Sequence, residues 1–412
     1  MTDLETQRAI DAVWRIESPK LIAGLMRIVR DVGLAEDLAQ DALVAALEQW
    51  PESGVPAKPG AWLMATAKHR AIDRLRRDER LERKHQEIGR EMEVQEAPQD
   101  DDDLLRLIFV SCHPILAPDA RVALTLRLLA SLTTEEIARA FLVPVSTIAQ
   151  RIVRAKRTLT EARVPFDVPT GPELNARLSS VLQVIYLIFN EGYSATAGDD
   201  LIRVGLCEDA LRLGRILAGL APKEPEVHGL VALMEIQASR SRARVGPSGE
   251  MVLLLDQDRG RWDQLLIRRG LAALERAEQL GGALGPYGLQ AAIAACHARA
   301  RTAAETDWAR IVALYDALAE LTPSAVIELN RAVAVGMAFG PAAGLELVDA
   351  LASEPSLRTY HFLPSVRGDL LAKLGRHDEA RAEFERAASL TQNARERELL
   401  LDRAAATSRG TA

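Results

Sequence analysis

Apolar residues along this chain recur at the three-to-four-residue spacing of helices, and no segment alternates apolar and polar positions long enough to indicate a sheet. Two segments interrupt the helical pattern. Residues 87–103 are acidic and contain four consecutive aspartates, which predicts a linker because like charges repel and nothing in it can be buried. Residues 164–172 contain three prolines and a glycine and predict a boundary. The pattern therefore predicts an all-α chain with a first block at residues 1–86, a second block at 104–165 and a third block at 172–412.

The third block shows an internal repeat near its end. The phrases ALAELTP at 317–323, ALASEPS at 350–356 and RAASLTQ at 386–392 are related. They lie about 34 residues apart, which is the period of tetratricopeptide helix pairs. We expect a large helical-repeat domain, interrupted at residues 244–262 by a turn or a small extended piece.

In the first block, the helix predicted at residues 33–50 is apolar on most of its circumference. A narrow polar face remains, on which Val44 is the one apolar residue. The polar residues of this face are Asp37, Gln40, Asp41 and Glu48. Such a helix is buried on most sides and leaves one acidic stripe. Periodicity alone leaves two interpretations open, a solvated face or a surface that binds a partner.

The next helix, predicted from Pro59 to residue 80, is rich in arginine. Its buried stripe is predicted to contain Ala61, Ala65, Ile72 and Leu75. Trp62 either belongs to the core, which is the more common place for a Trp that opens an amphipathic helix, or stacks on an unpaired base. Guanidinium groups bind phosphate and reach base edges, but an arginine-rich helix alone also fits a solvated surface. The other side carries His69, Arg70, Asp73, Arg74, Arg76, Arg77 and Arg80.

The second block contains the pattern of a helix-turn-helix at residues 132–159. Thr133 and Glu136 form a capping-box signal, Pro144 ends the first helix near residue 141, and Ser146 is expected to cap the second helix. The core stripe of the second helix is predicted to be Ile148, Ile152, Ala155 and Leu159. Its N-terminal residues would enter a major groove, while basic residues neutralise phosphates. The candidate contacts are Ser146, Thr147, Gln150, Arg151, Arg154, Lys156 and Arg157.

Together these phrases resemble the sigma-70 family of RNA polymerase sigma factors, in its extracytoplasmic-function branch. AEDLAQDALVAALEQW followed by AWLMATAKHRAIDRLRR is similar to region two, and LTTEEIARAFLVPVSTIAQRIVRAKRTL is similar to region four. The resemblance implies that Asp37, Gln40, Asp41 and Glu48 bind core RNA polymerase. It also implies that the 61–80 helix reads the minus-ten promoter element and the 146–162 helix the minus-thirty-five element. One departure lies in the turn, where Leu142-Val143-Pro144 replaces the common Leu-Gly.

The third block resembles the tetratricopeptide-like extension of one subgroup of that branch, through VLQVIYLIFNEGYSA at 181–195 and LLLDQDRGRWD at 253–263. Two interpretations remain open for the polar residues of these phrases. They are either caps and ion pairs that fix helix angles, or an interdomain or regulatory surface with a protein or ligand partner. The residues are Asn190, Glu191, Tyr193, Asp256, Asp258 and Arg259.

Composition and charge agree with this interpretation. The net charge is −7, yet residues 66–86 contain eight Lys and Arg against four acids, and screening lets a local basic patch bind phosphate. Three distant cysteines argue against a disulfide framework and for a reducing cytoplasm. No apolar run approaches the roughly 20 residues that span a membrane. No HExxH, P-loop or GxGxxG motif is present, so we expect no enzyme, cofactor or metal site.

The sequence thus predicts a sigma factor that directs promoter-specific initiation and is regulated by its third block. One alternative is a free-standing helix-turn-helix regulator with a tetratricopeptide sensor. Another is an interaction scaffold. The acidic stripe of the 33–50 helix separates the first two hypotheses, because only a polymerase subunit needs it.

Overall fold

The computed structural model describes residues 3–83, 101–141, 143–194, 197–198, 202–247, 250–281 and 283–409, although some side chains near these limits are not described. The all-α prediction is confirmed, because eighteen α-helices make up nearly all regular structure in these residues. The chain divides into two compact units, Met1–Leu187 and Ile188–Ala412. The sequence predicts a boundary at residues 164–172, and the first unit in addition contains the N-terminal part of the next helix.

The first unit contains seven complete helices. Three belong to the first block: α1 (Asp3–Val29), α2 (Val32–Ser53) and α3 (Pro59–Arg83). Four lie in or next to the second block: α4 (Asp101–Ser111), α5 (Pro118–Leu128), α6 (Thr134–Ala140) and α7 (Val145–Glu161). The linker predicted at 87–103 lies outside the described residues up to residue 100. Its end is wrong, because α4 begins at Asp101 and Asp103 is buried. Helix α8 (Pro172–Tyr193) contains the boundary between the units.

Helices α1, α2 and α3 pack around an alanine-rich core. Ala35, Ala39, Ala42 and Ala46 of α2 are fully buried, and such small side chains let helices approach closely. Asp31 begins α2, since its Oδ1 accepts a hydrogen bond from the Leu34 backbone N–H at 2.7 Å.

The predicted buried stripe of α3 is wrong at its first two residues, whereas Ile72 is half-buried and the side chain of Leu75 lies outside those described. Ala61 and Ala65 are exposed, and the buried residues are instead Leu63, Met64, Ala67 and Ala71. Alanines occur on several sides of this helix, so apolar spacing alone does not identify its core face. Trp62 is half-buried, and its ring meets the buried Trp50 edge-on at 5.3 Å.

The predicted helix-turn-helix signals lie on α6 and α7. The capping box is confirmed, because the Thr133 side chain accepts from the Glu136 N–H while the Glu136 carboxylate accepts from the Thr133 N–H. The core stripe of α7 is also confirmed, with Ile148, Ile152, Ala155 and Leu159 all buried. The predicted cap is wrong. Pro144 is the N-cap residue and Ser146 lies exposed inside the first turn, because proline already has a backbone angle that suits a helix start.

In the second unit, consecutive helices pack against one another. The first four complete helices are α9 (Val204–Leu220), α10 (Pro225–Ala238), α11 (Gln264–Gly281) and α12 (Pro286–Arg299). The others are α13 (Trp308–Leu321), α14 (Ala325–Phe339), α15 (Pro341–Ala350), α16 (Phe362–Lys373), α17 (His377–Leu390) and α18 (Ala394–Arg409).

The last six helices form three successive pairs. The pairs begin at Trp308, Pro341 and His377, a spacing of about 34 residues, which agrees with the period read from the sequence. A close crossing inside the array depends on glycine: a Cβ atom added to Gly344 of α15 would lie 2.8 Å from the Cα of Gly336 in α14. The arrangement is a helix-pair repeat, and its likeness to tetratricopeptide repeats stays a prediction.

Two small extended pieces complete the second unit. Val245 and Met251 form an antiparallel bridge inside the predicted interruption at 244–262. Strand β1 (Ala197–Gly198) pairs in parallel with β2 (Gln392–Asn393), which joins the beginning of the unit to its end. Of the helices described, none is both long and apolar enough to cross a membrane.

Candidate nucleic-acid interface

The acidic stripe of α2 faces solvent. Asp37, Asp41 and Glu48 are exposed, and Val44 between them is 49% exposed although it is apolar. Up to Leu47, the other residues of the helix are buried or half-buried. Gln40 differs from the other three, because it is half-buried and its amide donates to the Glu36 carboxylate at 2.7 Å.

Some polar side chains of α3 contact one another, and one contacts α2. His69 lies 3.7 Å from the Asp73 carboxylate. The Arg70 guanidinium donates to the backbone oxygen of Asp41 at 2.7 Å, and so links α3 to the acidic stripe. Arg74 and Arg76 are exposed. The predicted contacts Arg77 and Arg80 lie outside the residues whose side chains are described.

Helix α7 presents a polar face opposite its buried stripe. Ser146, Gln150, Arg154 and Arg157 are exposed and Thr147 is half-buried. Because α7 is a 17-residue helix with one apolar side, these groups project together from the side away from the core.

Three basic residues of α7 have acidic partners in this structure. Arg151 lies 2.9 Å from Asp119 of α5, and Arg157 lies 3.5 Å from Glu161 on its own helix. Lys156 is the least exposed, with 19% of its side chain accessible, and its Nζ lies 2.6 Å from Oε2 of Glu36. The structure therefore brings a residue predicted to bind phosphate into contact with the first block.

Glu36 is the residue that sequence reasoning missed. Its side chain is only 5% exposed, and its Oε1 accepts from the Nε of Arg127 in α5 at 2.7 Å. A signal for it exists in the sequence: Glu36 precedes Asp37 but belongs to the otherwise apolar arc of α2. A carboxylate in such a position needs a cation partner, because burying an unpaired charge is costly.

Of the four charged candidate residues at 181–195 and 253–263, Arg259 and Asp258 bind backbone groups. Arg259 donates to the carbonyl oxygens of His297 at 2.5 Å and Ala300 at 2.7 Å, which lie at the end of α12. Asp258 accepts from the Gly260 N–H at 2.9 Å. Glu191 pairs with Arg203.

Arginine and aromatic side chains alternate around these residues. Arg244 lies 3.9 Å from the centre of the Tyr193 ring, and Arg259 lies 5.0 Å from the Trp262 ring. Arg240 lies 5.8 Å from both rings. Such cation–π contacts fix the angles between the helices that carry them, so they favour the structural interpretation of Tyr193 and Arg259. Asn190 is half-buried and its carbonyl accepts from the Ser194 N–H, whereas Asp256 is exposed.

Burial and charge lower the pKa of one histidine in this cluster. The buried imidazole of His297 loses hydration and faces Arg240 and Arg259, which together bring its pKa to about 4. Burial likewise raises the pKa of the Cys207 thiol to about 12. In the part of the chain that the structure describes, no three His, Cys, Asp or Glu side chains gather as metal ligands.

Comparison with protein families divides the chain in the same order as the blocks. Residues 14–81 match sigma-70 region 2, and residues 106–159 match sigma-70 region 4. Residues 177–278 match a family of unknown function, DUF6596. The first two matches cover α2, α3 and α7, which carry the candidate contacts.

Two kinds of relative are found among known proteins. The uncharacterized protein R00370 of Rhizobium meliloti is 42% identical over 387 residues, which cover 92% of this chain and 91% of that protein. The probable ECF RNA polymerase sigma factor SigI of Mycobacterium tuberculosis is 26% identical over 167 residues. That alignment covers 39% of this chain and 57% of SigI, so more than half of this chain lies outside it.

Proposed function

The chain belongs to the sigma-70 family of RNA polymerase sigma factors, in its extracytoplasmic-function branch, and from this premise we propose which of its surfaces binds each partner in transcription initiation. Members of this family are not enzymes, and the family implies binding of core RNA polymerase and promoter DNA. We propose that α2 binds the polymerase, α3 reads the minus-ten element and α7 reads the minus-thirty-five element. The third block regulates these interactions.

The observation that carries this proposal is the polar face of α7. Gln150 and Arg154 are exposed one turn apart on a helix whose other side is fully buried. A helix presented in this way fits a major groove, where Gln can bind adenine through two hydrogen bonds and Arg can bind guanine or phosphate.

The acidic stripe supports a polymerase subunit over a free-standing regulator. An exposed valine surrounded by three exposed carboxylates, on a helix whose other faces are mostly buried up to Leu47, has a mixed apolar and charged character that suits a protein partner. A regulator that acts on DNA alone has no use for this surface.

A cavity in the second unit supports the proposal that the third block regulates initiation. A cavity of about 660 Å³ lies between the segment that ends at Asp256 and helices α14, α16 and α18. This volume is in the range of small-molecule sites. We propose that the second unit responds to a ligand or protein and thereby controls initiation.

The test is reconstituted transcription with core polymerase and genomic promoter fragments. The double variant Asp37→Lys/Asp41→Lys should abolish co-purification with core polymerase and initiation, because the exposed stripe would then repel the polymerase surface that it attracts in the wild type. Both residues are exposed, so the fold of the chain should not change. Asp11→Lys/Glu320→Lys reverses two exposed acids elsewhere and should retain both activities. Wild-type chain that initiates on no promoter, or an acidic-stripe double variant that still binds the polymerase, would contradict the proposal.

A further inference from the structure

Three arginines and two aromatic side chains alternate in the second unit. We call Tyr193, Arg240, Arg244, Arg259 and Trp262 the arginine–aromatic cluster. Arg240 is shared by both rings, because its guanidinium carbon lies 5.8 Å from the centre of the Tyr193 ring and of the Trp262 ring. Arg244 lies 3.9 Å from the first ring and Arg259 lies 5.0 Å from the second. The members come from the end of α8, from the segment after α10 and from the segment before α11.

The cluster carries three positive charges without an acidic partner. Among the residues that the structure describes, no carboxylate lies within ion-pair distance of Arg240, Arg244 or Arg259. Glu396 and Glu305 lower the energy of Arg244 and Arg259 only from farther away. Arg244 and Arg259 donate to backbone carbonyls instead, whereas the Arg240 side chain donates no hydrogen bond to another described residue.

Burial makes these unpaired charges costly. Arg244 is 7% exposed, and loss of hydration lowers the pKa of its guanidinium group. Buried charges in proteins are normally paired, and an aromatic ring replaces a carboxylate only in part. Trp262 is 3% exposed, and its indole Nε1–H has no hydrogen-bond partner among the described residues. The cluster therefore has positive charge and donor groups in excess, which an anion would satisfy.

The imidazole of His297 is the titratable group next to the cluster. Burial lowers its pKa, and repulsion from Arg240 and Arg259 lowers the pKa further, to about 4. A second positive charge is therefore strongly disfavoured at this place. An anion bound at the same arginines would have the opposite effect on His297.

We propose that the arginine–aromatic cluster is a binding site for the phosphate group of a small molecule, which Arg240 holds through its unused N–H groups. A guanidinium group binds phosphate through two parallel hydrogen bonds. Phosphate suits the cluster better than a carboxylate, because its larger charge balances more of the three arginines.

Burial also decides which source of phosphate can reach the site. Arg240 and Arg259 are half-buried, Arg244 is buried, and no member of the cluster is exposed. The backbone of a DNA duplex contacts side chains that project from a surface. A small molecule is therefore the ligand that fits, and a DNA duplex is an outcome that the experiment must separate from it.

The site is independent of the polymerase and promoter surfaces. It shares no residue with the cavity beside Asp256, and its occupation can be measured without polymerase or promoter DNA. The inference therefore goes beyond the proposed function and does not rest on it. A chain that binds phosphate here but never binds core polymerase would contradict only the proposed function.

Phosphate binding is measured by equilibrium dialysis of the full chain against radiolabelled inorganic phosphate in chloride buffer. We expect a saturable site, and Arg240→Gln should weaken it about tenfold or more, because the charge and the paired donors are lost. Arg240→Lys keeps the charge and should lose less affinity. Arg242→Gln changes an exposed arginine two positions away, should leave the affinity unchanged and serves as the matched control.

Several results of the dialysis would overturn the proposal. The first is a wild-type chain that retains no phosphate. The second is acetate, at equal ionic strength, that displaces the label as well as unlabelled phosphate does. The third is an Arg242→Gln chain that loses as much affinity as the Arg240→Gln chain. Displacement of the label by a DNA duplex of unrelated sequence would mark the cluster as a DNA contact and would exclude the small-molecule ligand.

A second measurement leaves every member of the cluster intact. The NMR signal of the His297 imidazole, assigned by its absence from the His297→Gln chain, is followed against pH in chloride and in sulfate at equal ionic strength. Sulfate is the probe because it remains a dianion throughout. We expect the pKa of His297 to rise from about 4 towards the ordinary 6.5 in sulfate, since the anion offsets the repulsion from Arg240 and Arg259. The same pKa in both salts would show that no anion binds at the cluster.

Discussion

Single side chains on α7 differ in what they should contribute to DNA binding. Arg154 is exposed, and the structure shows no acidic partner for it among the described residues, whereas Arg151 is paired with Asp119. Gln150 lies one turn nearer the helix N-terminus, the end that enters a groove in helix-turn-helix proteins. The two exposed residues should therefore separate affinity from sequence preference.

We expect Arg154→Ala to weaken binding of the polymerase-bound chain to all promoters alike and to lower the dependence of log Kd on log salt by about 1. Gln150→Ala should instead reduce preference at one base pair of the upstream element by about 1–3 kcal/mol. Filter binding with a set of single-base promoter variants at several salt concentrations distinguishes the two. Val153→Ala changes an exposed side chain between them and serves as the control. Identical behaviour of the Gln150→Ala and Arg154→Ala chains would contradict the division.

His297 should make the stability of the second unit depend on pH. Its pKa is about 4 in the folded chain, below the ordinary value of 6.5. Because the folded form resists protonation, this contribution to stability is complete above pH 6.5 and is lost as the pH falls towards 4. We expect urea unfolding of the wild-type chain to lose about 2–3 kcal/mol between pH 7.5 and pH 4.5 relative to His297→Gln. Parallel curves for the two chains would show that His297 does not titrate in this way.

At the scale of helices, α8 leads from the first unit into the second and also makes contacts within the first unit. Ser180 donates to the carbonyl of Cys112 at 2.5 Å and accepts from the buried Arg121 guanidinium, and Arg177 donates to the carbonyl of Phe109. The first half of α8 thus satisfies backbone groups at the end of α4, inside the first unit. This explains why the compact unit extends beyond the proline-rich segment at 164–172.

We expect Ser180→Ala to destabilise the first unit by about 1–3 kcal/mol, because it leaves a buried arginine and a buried carbonyl without their partner. The neighbouring Ser179 is exposed, and Ser179→Ala should change the free energy of unfolding by less than about 0.5 kcal/mol. Denaturant unfolding of the three chains measures both. Equal midpoints for all three would mean that α8 does not support the region-four helices.

How well an element could be predicted from the sequence depended on how many kinds of residue defined its faces. On α7, four aliphatic residues alternate with polar ones at helical spacing, and the buried stripe was predicted correctly. On α3, alanine occurs on several faces, and two residues of the predicted stripe, Ala61 and Ala65, are exposed. Pro144 also took the capping place assigned to Ser146, because two adjacent signals for a helix start cannot be ranked by pattern alone.

At the scale of the whole molecule, helix content, the order of the blocks and the 34-residue period were readable because each repeats over many residues. The contacts of Glu36 with Arg127 and Lys156 were not, since they join residues 91 and more positions apart, and periodicity describes only neighbours within one helix. The same holds for the stack of Arg240, Tyr193 and Trp262, which three separate segments bring together. The candidate DNA and polymerase contacts were found by resemblance, while the contact of Lys156 with Glu36 required the fold.

The pairing of β1 with β2 has a mechanical consequence. An open array of helix pairs is elastic, since each pair contacts only its neighbours and small rotations add up along the stack. In the second unit the segment after α8 is hydrogen-bonded to the turn between α17 and α18, so the array is closed on itself. A rotation of one helix pair must then be accompanied by rotations of other helix pairs in the closed array. A ligand that shifted one helix pair would thus also strain the pairing of β1 with β2.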